Sequence, residues 1–252
     1  MSAHFDRVSR HYAEHRPTYP AELFAWLAAQ CPRRALAWDC GTGSGQAAVD
    51  LAAHFAQVVA TDVSAAQIAQ ARPCAGVDYR VAPAEASGLG DATVDLVTVA
   101  QALHWFDLPA FYREVQRVLA PGGLLAAWTY GILHLPDPAL DAPLQHFYHQ
   151  VVGPWWPAER RHVETGYRDL PFPFPRLATP AFALQAQWSL AQLAGYLRSW
   201  SATARYIENN PTDPVNDLLV ELAPHWPDSH EKQRIEWPLS LHVGRFEIYK
   251  AT

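Results

Sequence analysis

Positive charge is in short supply in this chain. In 252 residues, 19 Lys and Arg stand against 25 Asp and Glu, giving a formal net charge of -6. Such a balance leaves no electrostatic footprint for nucleic acid or an anionic membrane surface. Cysteine is scarce as well. Cys31, Cys40 and Cys74 are odd in number and lack C-x-x-C spacing. They are too few for a disulfide framework or a thiolate metal site, which points to a reducing, cytoplasmic compartment. No window reaches the ~18 uninterrupted apolar residues of a membrane span. Asp6, Arg7, Arg10 and Glu14 near the start argue against a signal peptide. G-x-S-x-G and the P-loop lysine motif are both absent. His11-Tyr12-Ala13-Glu14-His15 spells H-x-x-E-H, but Pro17 ends a helix there within a turn and no third ligand is evident, so no metal is expected. What the chain has in quantity is apolar: 50% hydrophobic residues, enough for one large domain, or one plus a cap.

Between positions 35 and 130 short apolar runs alternate with helical patterns, the signature of βα units and a parallel sheet. The expected strands are Ala35 to Trp38, Val58 to Thr61, Val77 to Val81, Val94 to Ala100 and Leu124 to Thr129. Between them, helices are expected over Gln46 to Phe55, from the Ser64/Gln67 capping box through Ala71, and from an Asp107 N-cap through Leu119, where Pro121-Gly122-Gly123 stops the chain. Glu22 to Gln30 reads as a helix within an N-terminal lid of residues 1–34. Prolines and aromatics crowd residues 131–180, which read as an aromatic cap over the sheet's carboxyl edge. Residues 181–252 would complete the sheet with strands Phe182 to Trp188 and Leu239 to Tyr249 around helices near 190–203 and 214–223.

The first strand runs into Asp39-Cys40-Gly41-Thr42-Gly43-Ser44-Gly45, and the second ends at Asp62, 19 residues past Gly43. Glycines let a ligand approach the backbone, and an acidic residue about 20 residues on suits the two hydroxyls of a ribose. The pairing indicates an adenosyl-type ligand. The glycines alone leave NAD open, because G-x-G-x-x-G fails from Gly41 but G-x-G-x-x-A is met from Gly43 through Ala48.

At these residues the chain resembles the class I S-adenosylmethionine-dependent methyltransferases. Further along, Ala84-Glu85, Val94-Asp95-Leu96-Val97 and Arg117 to Gly123 look like that family's later motifs, in order across 35–130. Two segments, Tyr12 to Pro20 and Gln101 to Asp107, are similar to the trans-aconitate methyltransferase-like proteins of the type 11 group. The resemblance implies a seven-stranded Rossmann-like α/β sheet with helices on both faces, an N-terminal helical lid, and a cap inserted after the fifth strand. It implies S-adenosyl-L-methionine as cofactor. Asp39 would face its methionine ammonium, Gly41 and Gly43 would lie along the methionine, Asp62 would hold the ribose, and Glu85 would sit near the adenine amine. Val63, Ala84 and Ala100 join the cofactor positions, and His104 would line the methyl-transfer pocket.

The activity so implied is methylation of a small molecule, with O-methylation of a small organic acid in first place. Methyl transfer from a sulfonium is an in-line displacement that needs placement and a dry site. A carboxylate acceptor is already ionised and calls for an arginine clamp, with Arg16, Arg198 and Arg205 as candidates; a hydroxyl or phenol would instead use His104 as base. An NAD-linked oxidoreductase and a cofactor-binding protein without turnover stand as alternatives.

Overall fold

A computed structural model describes residues 17–226, 228 and 230–247. In chain order its elements are α1 (Ala21–Gln30), β1 (Leu36–Cys40), α2 (Gln46–Leu51), β2 (Gln57–Asp62), α3 (Ala65–Ala69), β3 (Val77–Val81), β4 (Val94–Ala100), α4 (Leu108–Val118), β5 (Leu119–Tyr130), α5 (Pro138–His146), α6 (Arg160–Glu164), β6 (Ala183–Trp188), α7 (Leu190–Arg198), α8 (Ser201–Asn209), α9 (Pro214–Leu222) and β7 (Gln233–Arg245). The seven strands lie in the order β3-β2-β1-β4-β5-β7-β6. The first five are parallel, and β7 runs antiparallel to both β5 and β6. This is the expected α/β sheet. No helix among the described residues is long and apolar enough to cross a membrane.

Chain contacts divide the molecule into two units. One comprises Tyr19–Tyr130, His162–Phe182 and the chain from Leu239; the other includes Gly131–Arg161 and Ala183–Pro238. The segment 131–180, read as one cap, is therefore split at Arg161. The helix expected within the lid is core: Leu23, Phe24, Leu27 and Ala28 of α1 are buried, and Phe24 packs edge-on against Trp128. Arg16 and the Tyr12 to Arg16 part of the N-terminal motif lie outside the described residues, as does Tyr249.

Within the first unit, β1 is buried after Leu36 and β4 up to Val99, because helices cover a parallel sheet on both sides. Trp38 fits this interior because its indole N–H donates to Thr61 Oγ1 at 2.8 Å. Asp95 is also buried, and its carboxylate accepts from the Ala35 and Leu36 amides and from Arg33 Nε, fastening the start of β1 to β4. Cys31 and Cys40 are buried free thiols, while Cys74 is partly exposed. Burial, helped by Asp95, pushes the Cys31 thiol up to about 12; burial likewise raises Cys40.

Cap chemistry is where the sequence spoke most clearly. Ser64 accepts from the Gln67 amide and Asp107 from the Ala110 amide, as expected, but the Ser64 amide donates to Asp62 Oδ1, so the reciprocal half of the Ser64/Gln67 capping box does not form. Several boundaries differ by a residue or two, and others by more. α2 stops at Leu51, because the Ala53 and His54 amides bond three residues back, to Asp50 and Leu51, and tighten the end into a turn. β5 begins at Leu119, earlier than Leu124, since Gly122 and Gly123 exchange backbone hydrogen bonds with Phe246. β7 starts at Gln233 and ends at Arg245, because its first half pairs with β6 and its second with β5. The helix expected over 190–203 breaks at Trp200, whose backbone is extended (φ -68°, ψ 136°) and opens α8.

In the second unit the rings of Tyr148, Trp156 and Trp200 lie 5.3 to 5.6 Å apart, and the Arg160 guanidinium stacks 4.6 Å from Trp156. This accounts for the aromatic richness of the segment as packing.

Candidate functional site

The carboxyl ends of β1 and β2 build the site. β1 carries Asp39 into the turn Gly41 to Gly45, where Gly41 and Gly45 adopt φ of 68° and 86°. A Cβ on Gly41 would stand 2.7 Å from the Ala102 Cβ, and one on Gly45 would stand 2.5 Å from the Tyr79 hydroxyl. Both conformation and space demand glycine there. Asp62, ending β2, accepts the Gly43 amide on Oδ2 at 2.9 Å and the Ser64 amide on Oδ1 at 2.8 Å. Each carboxylate oxygen has a second lone pair, so the group is held in place while still able to accept from a ligand.

Asp62 lines a cavity of about 370 Å³ together with Gly41, Val63, Ala82, Pro83, Ala84, Glu85, Ala102, Trp105 and Phe106. Its walls are mostly apolar, and Val63 (75% exposed) and Trp105 (63% exposed) present unusually open hydrophobic surface. Glu85 Oε1 accepts the Asp107 amide at 3.1 Å, tying this wall to the start of α4.

Asp39 is 1% exposed and accepts from Thr98 Oγ1 at 2.7 Å and from the Thr42 hydroxyl. Burial is the main cause that pushes its carboxyl up to about 6, with Asp62 adding to the rise and the two threonine hydrogen bonds opposing it. Among the described residues no cation pairs with it. A buried carboxylate in that condition favours an arriving cation.

Beyond β4, Gln101 holds a left-handed φ of 61° against Thr129, whose Oγ1 donates to Gln101 Oε1. Strain of this kind, fixed by neighbours, is common beside ligand sites. His104 follows on a short 3-10 turn, with Nδ1 2.9 Å from the Tyr167 hydroxyl and its ring 4.6 Å from that of Trp105.

The structure thus brings Gly41, Asp62, Val63, Ala84 and Glu85 around one cavity. Gly43 joins through its bond to Asp62, and Asp39 lies in the strand leading into the same turn. Ala100 and His104 are not among the lining residues. Ala100 is paired in register with Trp128. Of the arginines, Arg198 is engaged by Asp213 at 2.6 Å and by Asn216, which removes it as a clamp candidate. Arg205 is exposed on α8, with Nη1 3.4 Å from the Trp155 carbonyl. Sequence reasoning missed Ala82, Pro83, Ala102 and Phe106 as walls; only the proximity of the last two to His104 hinted at them. Tyr167 carried no signal at all.

The geometry defines a Rossmann-like adenosyl-cofactor site, and the comparisons say which kind. Residues 38–127 match the model of the methyltransferase domain. A protein of Dictyostelium discoideum named as a methyltransferase is 36% identical over 222 residues, covering 86% of this chain and 84% of that one. A Saccharomyces cerevisiae protein named as an S-adenosylmethionine-dependent methyltransferase is 25% identical, covering 94% and 95%. A solved structure of a type II methyltransferase from Anaeromyxobacter dehalogenans is 43% identical with a TM-score of 0.89, covering 93% of this chain and 99% of that one. The chain belongs to this methyltransferase family, and it is an S-adenosylmethionine-dependent enzyme. The NAD-linked alternative is thereby set aside.

The residues present fit the cofactor. Asp39 suits an ammonium, the turn at Gly41 admits close approach of a ligand to the backbone, and Asp62 suits vicinal hydroxyls.

Proposed function

We propose that the chain methylates a small organic acid on a carboxylate oxygen in a reducing, cytoplasmic setting. The cofactor supplies an activated methyl on a sulfonium. Asp39 takes its ammonium, Gly41 and Gly43 flank its methionine part, and Asp62 accepts from its ribose. Glu85 lies toward its adenine amine, with Val63 and Ala84 as apolar walls and Ala100 behind the site. The observation that carries the cofactor part of this reading is the Asp62 carboxylate, anchored by the Gly43 and Ser64 amides at the edge of the apolar cavity.

On the acceptor side, the resemblance to trans-aconitate methyltransferase-like proteins supports a carboxylate. Such a group needs no base at neutral pH, only placement. Arg205, together with Arg16, is the proposed clamp, and His104 shapes the pocket. A labelled methyl donor offered with panels of small carboxylic acids and of phenols tests the reading. Methylation confined to the acids, and lost in Arg205→Ala and Arg16→Ala but retained in His104→Gln, is the expected result. Turnover of phenols alone would replace it with the hydroxyl reading, and no turnover in either panel would leave a cofactor-binding protein.

A further inference from the structure

Two donors are buried in the second unit with nothing to accept from them. The Trp156 indole nitrogen and the Thr203 hydroxyl have no hydrogen-bond partner, and Thr203 is 0% exposed. Leaving such groups unpaired costs free energy, so their retention calls for a reason.

Both sit on elements that pack together. The short 3-10 turn Gly153–Trp155, with Trp156 after it, runs along the first turns of α8: the Trp156 ring lies 5.6 Å from that of Trp200, and the Trp155 ring 5.8 Å from that of Tyr206. Trp200, Thr203 and Tyr206 are spaced three apart, so they share one side of the chain and Thr203 falls between the two ring contacts. A helical side chain leans toward its own N-terminus, which turns the Thr203 hydroxyl to the start of α8 and to the Trp200–Trp156 pair.

That start is uncapped. Trp200 is the N-cap and offers no side-chain acceptor to the first-turn amides, and a nine-residue helix carries partial positive charge at this end. Two guanidiniums stand by: Arg205 on the next turn, held to the Trp155 carbonyl, and Arg160 stacked on Trp156. Neither forms an ion pair among the described residues. An indole N–H only donates, so the atom that meets it must be an acceptor, and the positive surroundings select an anion. The Trp156 and Trp200 rings make the walls apolar and flat, which suits a planar carboxylate on a carbon skeleton better than the more strongly hydrated phosphate.

We propose that the start of α8, with Thr203, Trp156 and Arg205, is a binding site for the carboxylate of a small organic acid. That this acid is the methyl acceptor rests on the carboxylate reading above; the binding does not.

The test is ¹H–¹⁵N correlation NMR of the indole groups in the full chain saturated with S-adenosylhomocysteine, titrated with succinate, and with inorganic phosphate and chloride at equal ionic strength. The Trp156 signal is assigned with Trp156→Phe. Succinate should shift it along a saturable curve, and phosphate and chloride should leave it in place. Thr203→Val, which keeps the shape and removes the hydroxyl, should weaken succinate about tenfold with S-adenosylhomocysteine affinity unchanged. The same variant should melt higher without ligand, because an unpaired buried hydroxyl is gone. A Trp156 signal unmoved by succinate overturns the proposal, as does an equal response to phosphate or a succinate affinity unaltered in Thr203→Val. Should that variant not fold, the Trp156 titration still decides. If succinate binds as stated but only phenols are methylated, the acceptor reading fails and the site stands; if acids are methylated while Trp156 never responds, the site fails and the reading stands.

Discussion

Asp62 reaches back across 19 residues to accept the Gly43 amide, while its other oxygen takes the amide of Ser64 two residues on. One carboxylate thus orders both the glycine turn and the entry to α3 before any ligand arrives. Asp62→Ala should cost at least about tenfold in S-adenosylhomocysteine affinity, roughly 1.4 kcal/mol or more. Calorimetric titration checks this, and unchanged binding would remove Asp62 from the site. Because two amides also lose an acceptor, the melting temperature should fall somewhat in the same variant.

Asp39 makes binding and stability respond to pH in opposite senses. Burial raises its carboxyl from 3.8 to about 6, so the folded chain without cofactor disfavours the ionised form. The stability associated with the protonated group is complete below about 3.8 and is lost as pH rises through about 6, by about 3 kcal/mol in total. A cationic ligand group prefers the ionised form, so cofactor affinity should increase from pH 5 to pH 7 with release of a proton. Asp39→Asn should abolish that slope in calorimetry run in buffers of different ionisation enthalpy, and should stabilise the unliganded chain at pH 7.

At Gly41 a side chain meets both an unfavourable φ and the Ala102 Cβ. Gly41→Ala should therefore lose cofactor binding and about 1 to 3 kcal/mol of stability. Adding Ala102→Gly relieves the contact but leaves the backbone strain, so thermal denaturation should show partial recovery. Full recovery would mean that the backbone conformation carries no cost, and none would mean that the clash is unimportant.

Asp95 separates fold from site. Its buried carboxylate serves the Ala35 and Leu36 amides and Arg33, so Asp95→Ala should destabilise by about 3 kcal/mol in urea unfolding. Cofactor affinity of the folded fraction should stay as it was, since Asp95 sits in the first half of β4, whereas the site forms at the carboxyl ends of β1 and β2.

Legibility in the sequence followed the range of the interactions. β3 and β4 begin and end where their apolar runs do, and Ser64 and Asp107 cap where hydrogen bonding within three residues requires it. Gly41 and Asp62 were readable because a glycine turn and a distant carboxylate recur together for chemical reasons. Boundaries set by distant partners were not readable: Phe246 extends β5, and β6 lengthens β7. The same holds for the site. Ala82 and Pro83 are walls only because the chain after β3 returns to the cavity, and Arg198 looked available until α9 supplied Asn216 beside Asp213.

The three thiols amount to a depth gauge. Cys74 is partly exposed, Cys40 ends β1 immediately before the glycine turn, and Cys31 donates to carbonyls of Leu27 and Asp95 in the core. A thiol reagent should therefore modify Cys74 first, and the less exposed Cys31 and Cys40 only as their surroundings open. Cofactor should slow the reaction of Cys40 specifically, so that one labelling time course with mass detection reads the opening of the turn apart from the rest, with no residue replaced.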